Sequence, residues 1–104
     1  MTTKIKIRAK MAIRKITGPI SFGEMIQSLR TAYGHSQVHM AFILGITKQD
    51  LCNIEKGRKN VSIERAIGFA KALDMPSKTF AKYALQDQLN KAGIIGEVEI
   101  KEVA

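Results

Sequence analysis

His35 and His39 come closest to the spacing of a metal site, because side chains four positions apart share one face of a helix. Neither a Cys-x-x-Cys pair nor an acidic cluster supplies the remaining ligands. Cys52 is the single cysteine, and with His39 and Glu55 it does not form a recognisable nucleophile and base. The sequence also has no Gly-rich phosphate loop. We therefore expect no catalytic residue, no metal and no cofactor, and hence no enzyme.

Amides and cations between residues 37 and 60 have a different chemistry, that of nucleic-acid recognition. Amides can bond the edges of bases, while Lys and Arg bind phosphates. The whole chain carries 17 Lys and Arg against 9 Asp and Glu, a net charge of +8 over 104 residues. So strong an excess in a short chain makes nucleic acid the expected partner.

Length and composition exclude several classes of protein. A chain of 104 residues has room for one domain, and 45% hydrophobic against 25% charged residues is typical of a globular fold. No apolar run approaches the roughly 20 residues of a membrane span, and charges interrupt the N-terminus where a secretory signal would be apolar. With a single cysteine, these features predict a cytoplasmic protein without a membrane partner.

Capping residues and apolar spacing predict five helices that would position the recognition side chains. Ser21 and Glu24 form a capping box at the start of the first helix, where Phe22, Met25, Ile26, Leu29 and Tyr33 make an apolar stripe. The other helices are expected to begin at Ser36, Thr47, Ser62 and Ser77. The aromatic residues are expected in the core, namely Tyr33, Phe42, Phe69, Phe80 and Tyr83.

Residues 37–57 have the pattern of a helix-turn-helix. Ala41 is small enough for two helices to cross closely, and Gly45 lacks the Cβ that would strain a tight turn. Such an arrangement displays its second helix outward, and the outward residues here are amides and lysines. They are Lys48, Gln49, Asn53 and Lys56.

Both ends of the chain alternate between charged and apolar residues, which is the pattern of a strand. The outward residues of 4–10 are basic and those of 97–103 are mostly acidic, so we predict antiparallel pairing of the two segments, within one chain or between two. The alternative is a basic arm that becomes ordered only in a DNA minor groove. The sequence thus divides into an N-terminal arm or strand (1–20), a helix-turn-helix domain (21–92) and a C-terminal strand or tail (93–104).

Residues 22–89 resemble the phage-repressor-like (XRE-type) helix-turn-helix family. The motifs are Phe22-Gly23-Glu24-Met25-Ile26 with Leu29-Arg30, Ser36-Gln37, Leu44-Gly45-Ile46-Thr47, Ile54-Glu55-Lys56-Gly57-Arg58-Lys59 and Ala70-Lys71-Ala72-Leu73. The resemblance implies a mainly α, five-helix repressor-like domain, here with short terminal β-strands. It also implies a homodimer that binds double-stranded operator DNA and represses transcription.

Carried over by position, the resemblance implies base reading by Lys48, Gln49 and Asn53. It implies an internal ion pair between Arg30 and Glu55 as well. Asp50 departs from the pattern, since a carboxylate would repel phosphate, and we interpret it as the partner of Thr47 in a capping box. The alternative is that it accepts a hydrogen bond from cytosine N4. The phosphate contacts that the family implies are Gln37, Lys56, Arg58, Lys59 and Asn60.

Residues 80–93 and the strand that follows resemble small regulators that include the antitoxins of toxin–antitoxin systems. This resemblance implies an alternative function, in which the chain neutralises a partner toxin and regulates its own operon through the same helix-turn-helix. A helix-turn-helix used for protein or RNA contacts is a further alternative. A gene for a small basic toxin beside this one would favour the antitoxin.

Overall fold

The computed structural model describes residues 2–8, 20–94 and 96–103. The part of the N-terminal arm between residues 9 and 19 lies outside the described residues. The mainly α fold with five helices and terminal strands is confirmed. In chain order the elements are β1 (Thr2–Arg8), α1 (Phe22–Ala32), α2 (Gln37–Leu44), α3 (Lys48–Glu55), α4 (Ile63–Ala72), α5 (Ser77–Lys91) and β2 (Glu97–Val103).

The first four helices begin where a hydroxyl accepts a hydrogen bond from the helix's third backbone N–H. Ser21 and Glu24 make the complete capping box, with the two reciprocal bonds at 3.1 and 3.0 Å. Ser36, Thr47 and Ser62 each accept one such bond, at 3.0–3.1 Å. The fifth helix begins at Ser77, directly after Pro76, without a side-chain cap.

The core lies among all five helices and is centred on the ring of Phe22. The Phe80 ring meets it edge-on with centroids 5.9 Å apart, and the Phe69 ring lies 6.3 Å away. Other fully buried side chains come from α1, α2 and α3, so burial fixes these three helices against one another. They are Ile26, Met40, Leu51 and Ile54.

Two of the aromatic residues expected in the core are exposed, and the prediction for them is wrong. Phe42 is 82% exposed and Tyr33 is 49% exposed, whereas Phe69 and Phe80 are buried and Tyr83 packs partly against the core. Met40, Ala41 and Leu44 supply the buried face of α2. Because successive helical residues are rotated by about 100°, Phe42 points away from that face.

The turn between α2 and α3 depends on Gly45, which caps α2 with a left-handed φ of 72°. The Ile46 N–H then donates to the Ala41 carbonyl at 2.9 Å, which closes the turn. Ala41 is 2% exposed, as a residue at a close crossing of two helices would be. The predicted helix-turn-helix is therefore present.

At Gly23 the backbone of α1 lies close to the end of α3. A Cβ on Gly23 would lie 2.1 Å from the Ile54 carbonyl oxygen and 3.0 Å from the Glu55 carbonyl oxygen. Backbone atoms cannot move aside as a flexible side chain does, so only glycine permits this contact.

A buried carboxylate joins α3 to α1 and to the start of α2. Glu55, 6% exposed, accepts hydrogen bonds from Arg30 Nε at 2.7 Å and from Arg30 Nη2 at 3.1 Å. The Gln37 amide donates to Glu55 Oε1 at 3.1 Å, and Arg30 Nη1 donates to the His35 carbonyl at 3.1 Å. We call these three side chains, Arg30, Gln37 and Glu55, the brace.

The terminal strands form a two-stranded antiparallel ribbon within one chain, which confirms their predicted pairing. Ile5 pairs with Ile100 and Ile7 with Val98, while Lys6 and Arg8 are in register with Glu99 and Glu97.

Gln86 fastens this ribbon to α5. Its amide accepts from the Val98 N–H and donates to the Gly96 carbonyl, both at 2.8 Å. Val98 is fully buried, and Gln86 is 3% exposed. The side chain of Gln86 thus bonds the backbone of β2 as a neighbouring strand would.

Asp87, on the same helix, ties α5 to the start of α1. Its carboxylate accepts from the Phe22 N–H at 3.0 Å, which satisfies one of the unpaired donors at the helix N-terminus. Desolvation raises the pKa of Asp87, and the bond from Phe22 opposes that shift.

Substituting Gly23→Ala should lower the free energy of unfolding by about 1–3 kcal/mol or more, because the new methyl group collides with the Ile54 carbonyl. The matched control is Gly68→Ala on α4, where a Cβ meets no atom within 4 Å. That change should stabilise the protein by roughly 0.5–1 kcal/mol through helix propensity. Urea unfolding measures both, and equal effects would contradict the close approach.

Replacing Arg30→Met alone should destabilise the protein by roughly 3–5 kcal/mol, because it leaves the Glu55 carboxylate buried without its cation. Adding Glu55→Leu should recover much of that loss. A double-mutant cycle of unfolding free energies checks this, with an expected coupling of roughly 0.5–3 kcal/mol. Additive losses would show that the pair does not act as a unit.

Candidate nucleic-acid interface

Three residues expected to read bases project from the outer face of α3. Lys48 and Gln49 are exposed, and Asn53 is half-buried one turn further along. Gln49 Nε2 donates to Asn53 Oδ1 at 3.3 Å, so the two amides lie side by side. Leu51 and Ile54 bury the opposite face of the same helix. Because the apolar face of α3 is buried, the Gln49 and Asn53 amides and the Lys48 ammonium group remain available to an external partner.

The residues after α3 form a basic turn beside this face. Gly57 has a φ of 75°, and the N–H groups of Arg58 and Lys59 donate to the Asn53 carbonyl at 2.9 and 3.3 Å. The chain therefore folds back over the end of the helix. Lys56, Arg58, Lys59 and Asn60, expected at phosphates, are all exposed in this turn.

Three of the expected phosphate contacts have partners within the protein, and two of these are the amides of Gln37 and Asn60. The Gln37 side chain is half-buried and donates to Glu55, so this amide belongs to the brace. The Asn60 amide oxygen accepts a hydrogen bond from Lys91 Nζ. Each amide has further hydrogen-bonding capacity, and their role at phosphates stays a prediction.

The capping-box role expected for the Asp50 side chain is wrong. Its backbone N–H does donate to Thr47 Oγ1 at 3.0 Å, but its carboxylate pairs with Lys59 Nζ and, at 2.8 Å, with Arg65 Nη2. These contacts, the one from Lys59 foremost, lower the pKa of Asp50. We call Asp50, Lys59 and Arg65 the acidic clamp.

Arg65 is the residue of this surface that sequence reasoning missed. It lies on α4, 15 positions after Asp50, and its guanidinium also sits 5.4 Å from the centroid of the Phe69 ring. No local spacing connects Asp50 to Arg65, because only the tertiary fold brings these two side chains together. The net positive charge of the chain was the one general feature of the sequence that pointed to additional basic residues near α3.

The side chains considered for metal or redox chemistry are His35, His39 and Cys52. The His35 and His39 rings are tilted by 38° with centroids 4.4 Å apart, and the Tyr33 ring centroid lies 5.7 Å from that of His35. Within residues 20–94 and 96–100, no group of three or more potential metal ligands is found. Cys52 is half-buried on α3. Among the described helices, none combines the length and apolar character of a membrane span.

Known proteins resemble about half of this chain. Provisionally named HTH-type transcriptional regulatory proteins of Pyrococcus furiosus and Thermococcus gammatolerans are 37% and 33% identical to it over 54 residues. Each match covers 52% of this chain but only 17% of the relative. The crystal structure of the restriction-modification controller protein C.AhdI from Aeromonas hydrophila matches with a TM-score of 0.51 and 36% identity, over 57% of this chain and 86% of that one.

A family model described as Helix-turn-helix matches residues 26–80. That range contains α2 and α3, all three residues of the brace and all three of the acidic clamp. It begins after β1 and ends before β2, so the ribbon lies outside it. From this match, we conclude that the chain belongs to the XRE-type helix-turn-helix family.

Proposed function

We propose that this protein binds specific sequences in double-stranded DNA as a homodimer and represses transcription. The observation that carries the proposal is the outer face of α3, where the Gln49 and Asn53 amides are paired beside a basic turn. A helix about 10–12 Å across fits the major groove, and an amide can bond adenine through two atoms at once. We assign base reading to Lys48, Gln49 and Asn53.

The basic turn supports phosphate binding next to the groove. Lys56 and Arg58 are exposed at the end of α3, where the DNA backbone would pass once the helix lies in the groove. The N-terminus of α2 adds backbone N–H groups that favour an anion, close to Gln37. These contacts would hold α3 in register, while the amides discriminate between sequences.

The ribbon supports the homodimer. In this sheet of two strands the outer edge of β1 faces away from β2, and an isolated two-stranded ribbon is marginally stable in water. Pairing with a second copy would extend the sheet, and the dimer would carry two recognition helices to half-sites about 34 Å apart. A dimer bound over a promoter would exclude the polymerase, and this accounts for repression. The single cysteine fits our proposal that this takes place in the cytoplasm.

The antitoxin alternative stays a prediction from the sequence, and no contact in the described residues favours a toxin as the partner. Co-expression with the products of neighbouring genes, followed by purification of a stable complex, tests it directly.

Substituting Gln49→Ala should weaken binding to a cognate duplex, selected from a random library, by about 1–3 kcal/mol for a lost bidentate contact. Binding to a random-sequence duplex should change little. Arg58→Gln is the matched control: it should weaken both duplexes alike and reduce the slope of log affinity against log salt by about 1. Fluorescence anisotropy over a salt series measures both affinities. If Gln49→Ala leaves the ratio of cognate to random-sequence affinity unchanged, the assignment of α3 as the base-reading helix is wrong.

Deleting residues 1–11 removes β1 and should convert the dimer to a monomer, as measured by light scattering after size-exclusion chromatography. Helix content from circular dichroism should stay close to that of the full chain, because buried side chains of α1–α5 form a core with one another. A dimer of otherwise unchanged mass that has lost DNA affinity would instead support the minor-groove arm.

A further inference from the structure

We infer that Asp50 limits how strongly this surface binds DNA phosphates, by holding Lys59 and Arg65 in the acidic clamp. The inference rests on the proposed DNA binding and concerns its electrostatic part. Each carboxylate oxygen of Asp50 takes one cation, Oδ1 that of Lys59 and Oδ2 that of Arg65. Two cations close to α3 therefore already have a carboxylate partner within the chain.

The clamp lies beside the recognition face, because Asp50 is three positions before Asn53 on α3 and residues at this spacing are neighbours on a helix surface. Lys59 belongs to the basic turn that follows the same helix. The side chains of Asp50, Lys59 and Arg65 are 22%, 44% and 32% exposed. A phosphate could therefore reach either cation without any opening of the core. The three residues together carry a formal charge of +1, where the two cations alone would present +2.

Asp50 is ionised at neutral pH, since both partners lower its pKa. Glu55, the other acid of α3, is buried in the brace, and Glu64 on α4 is exposed next to Arg65 in sequence. Neither carboxylate is paired with Lys59 or Arg65 in the clamp contacts. We therefore assign the pairing of Lys59 and Arg65 to Asp50.

The clamp and a phosphate compete for the same cations. Ion pairs at a partly exposed surface contribute little net stability, so a well-placed phosphate can displace the carboxylate. Displacement leaves the Asp50 charge close to the DNA backbone, which repels it. Binding through phosphates alone is consequently weaker than the chain's net charge of +8 suggests. A protein restrained in this way spends less time on DNA of unrelated sequence, and base contacts by α3 gain relative weight.

The test compares Asp50→Asn with the wild-type chain on a random-sequence duplex, so it requires no knowledge of the operator. Each added phosphate contact changes the slope of log affinity against log salt by about −0.9, which at 0.1 M salt corresponds to roughly eightfold tighter binding. We expect Asp50→Asn to bind about five- to tenfold tighter at that salt, with a slope steeper by about 1. Lys59→Gln added to Asp50→Asn should reverse most of this gain.

Asp74→Asn is the matched control for net charge. Asp74 is exposed after the far end of α4, and its φ of 55° is one that Asn adopts readily. This variant should leave the slope unchanged. Equal slopes for Asp50→Asn and Asp74→Asn, or weaker binding by Asp50→Asn at an unchanged melting temperature, would overturn the inference.

A second measurement does not depend on how well Asp50→Asn folds. In the wild-type background, Lys59→Gln should change the slope by less than half as much as Arg58→Gln, because Lys59 is already engaged by Asp50. Equal changes would overturn the inference while leaving the proposed DNA binding intact. Salt-independent or absent binding by the wild-type chain would instead overturn the proposed function, and this inference with it.

Discussion

The Glu55 carboxylate is the constraint on which the arrangement of the recognition helix depends. A charge taken out of water costs several kcal/mol unless partners replace its hydration. Arg30 and Gln37 are those partners, and Arg30 also bonds the His35 carbonyl, so one buried group joins α1, the start of α2 and the end of α3. Gly23 lets the backbone of α1 approach the same end of α3. The inner side of α3 is thereby fixed, and its outer side is left for a partner.

Carboxylates serve two opposite purposes on this one helix. Glu55 is buried and joins elements of the core, whereas Asp50 is partly exposed and neutralises cations at the edge of the recognition surface. The first determines where the helix lies, and the second determines how much positive charge surrounds it. By our proposal, net charge alone overstates the attraction of this surface for phosphates, because Asp50 balances part of that charge locally.

The ribbon is joined to the helical body by different means. The Gln86 amide accepts from the Val98 N–H of β2 and donates to the carbonyl of Gly96 just before it, and these two bonds, with the burial of Val98, hold the ribbon against α5. An amide side chain can satisfy both a donor and an acceptor of a strand edge, so a helix here takes the place of a third strand. The ribbon lies outside the family match at residues 26–80, as do the start of α1 and most of α5.

The sequence by itself determined the local features of this protein. Neighbouring residues in the chain encode these features, which are the capping hydroxyls at helix starts, the glycines at left-handed turns and the alternation of charged and apolar residues in the strands. The helices and the two strands of the ribbon follow from them. The ion pair of Arg30 with Glu55 came from family resemblance, since nothing local connects residues 25 positions apart. Only the tertiary structure decided that Asp50 meets Arg65, that Gln86 bonds β2 and that Phe42 is exposed. Each of these depends on the angle at which one element packs on another, and spacing along a single element does not contain that angle.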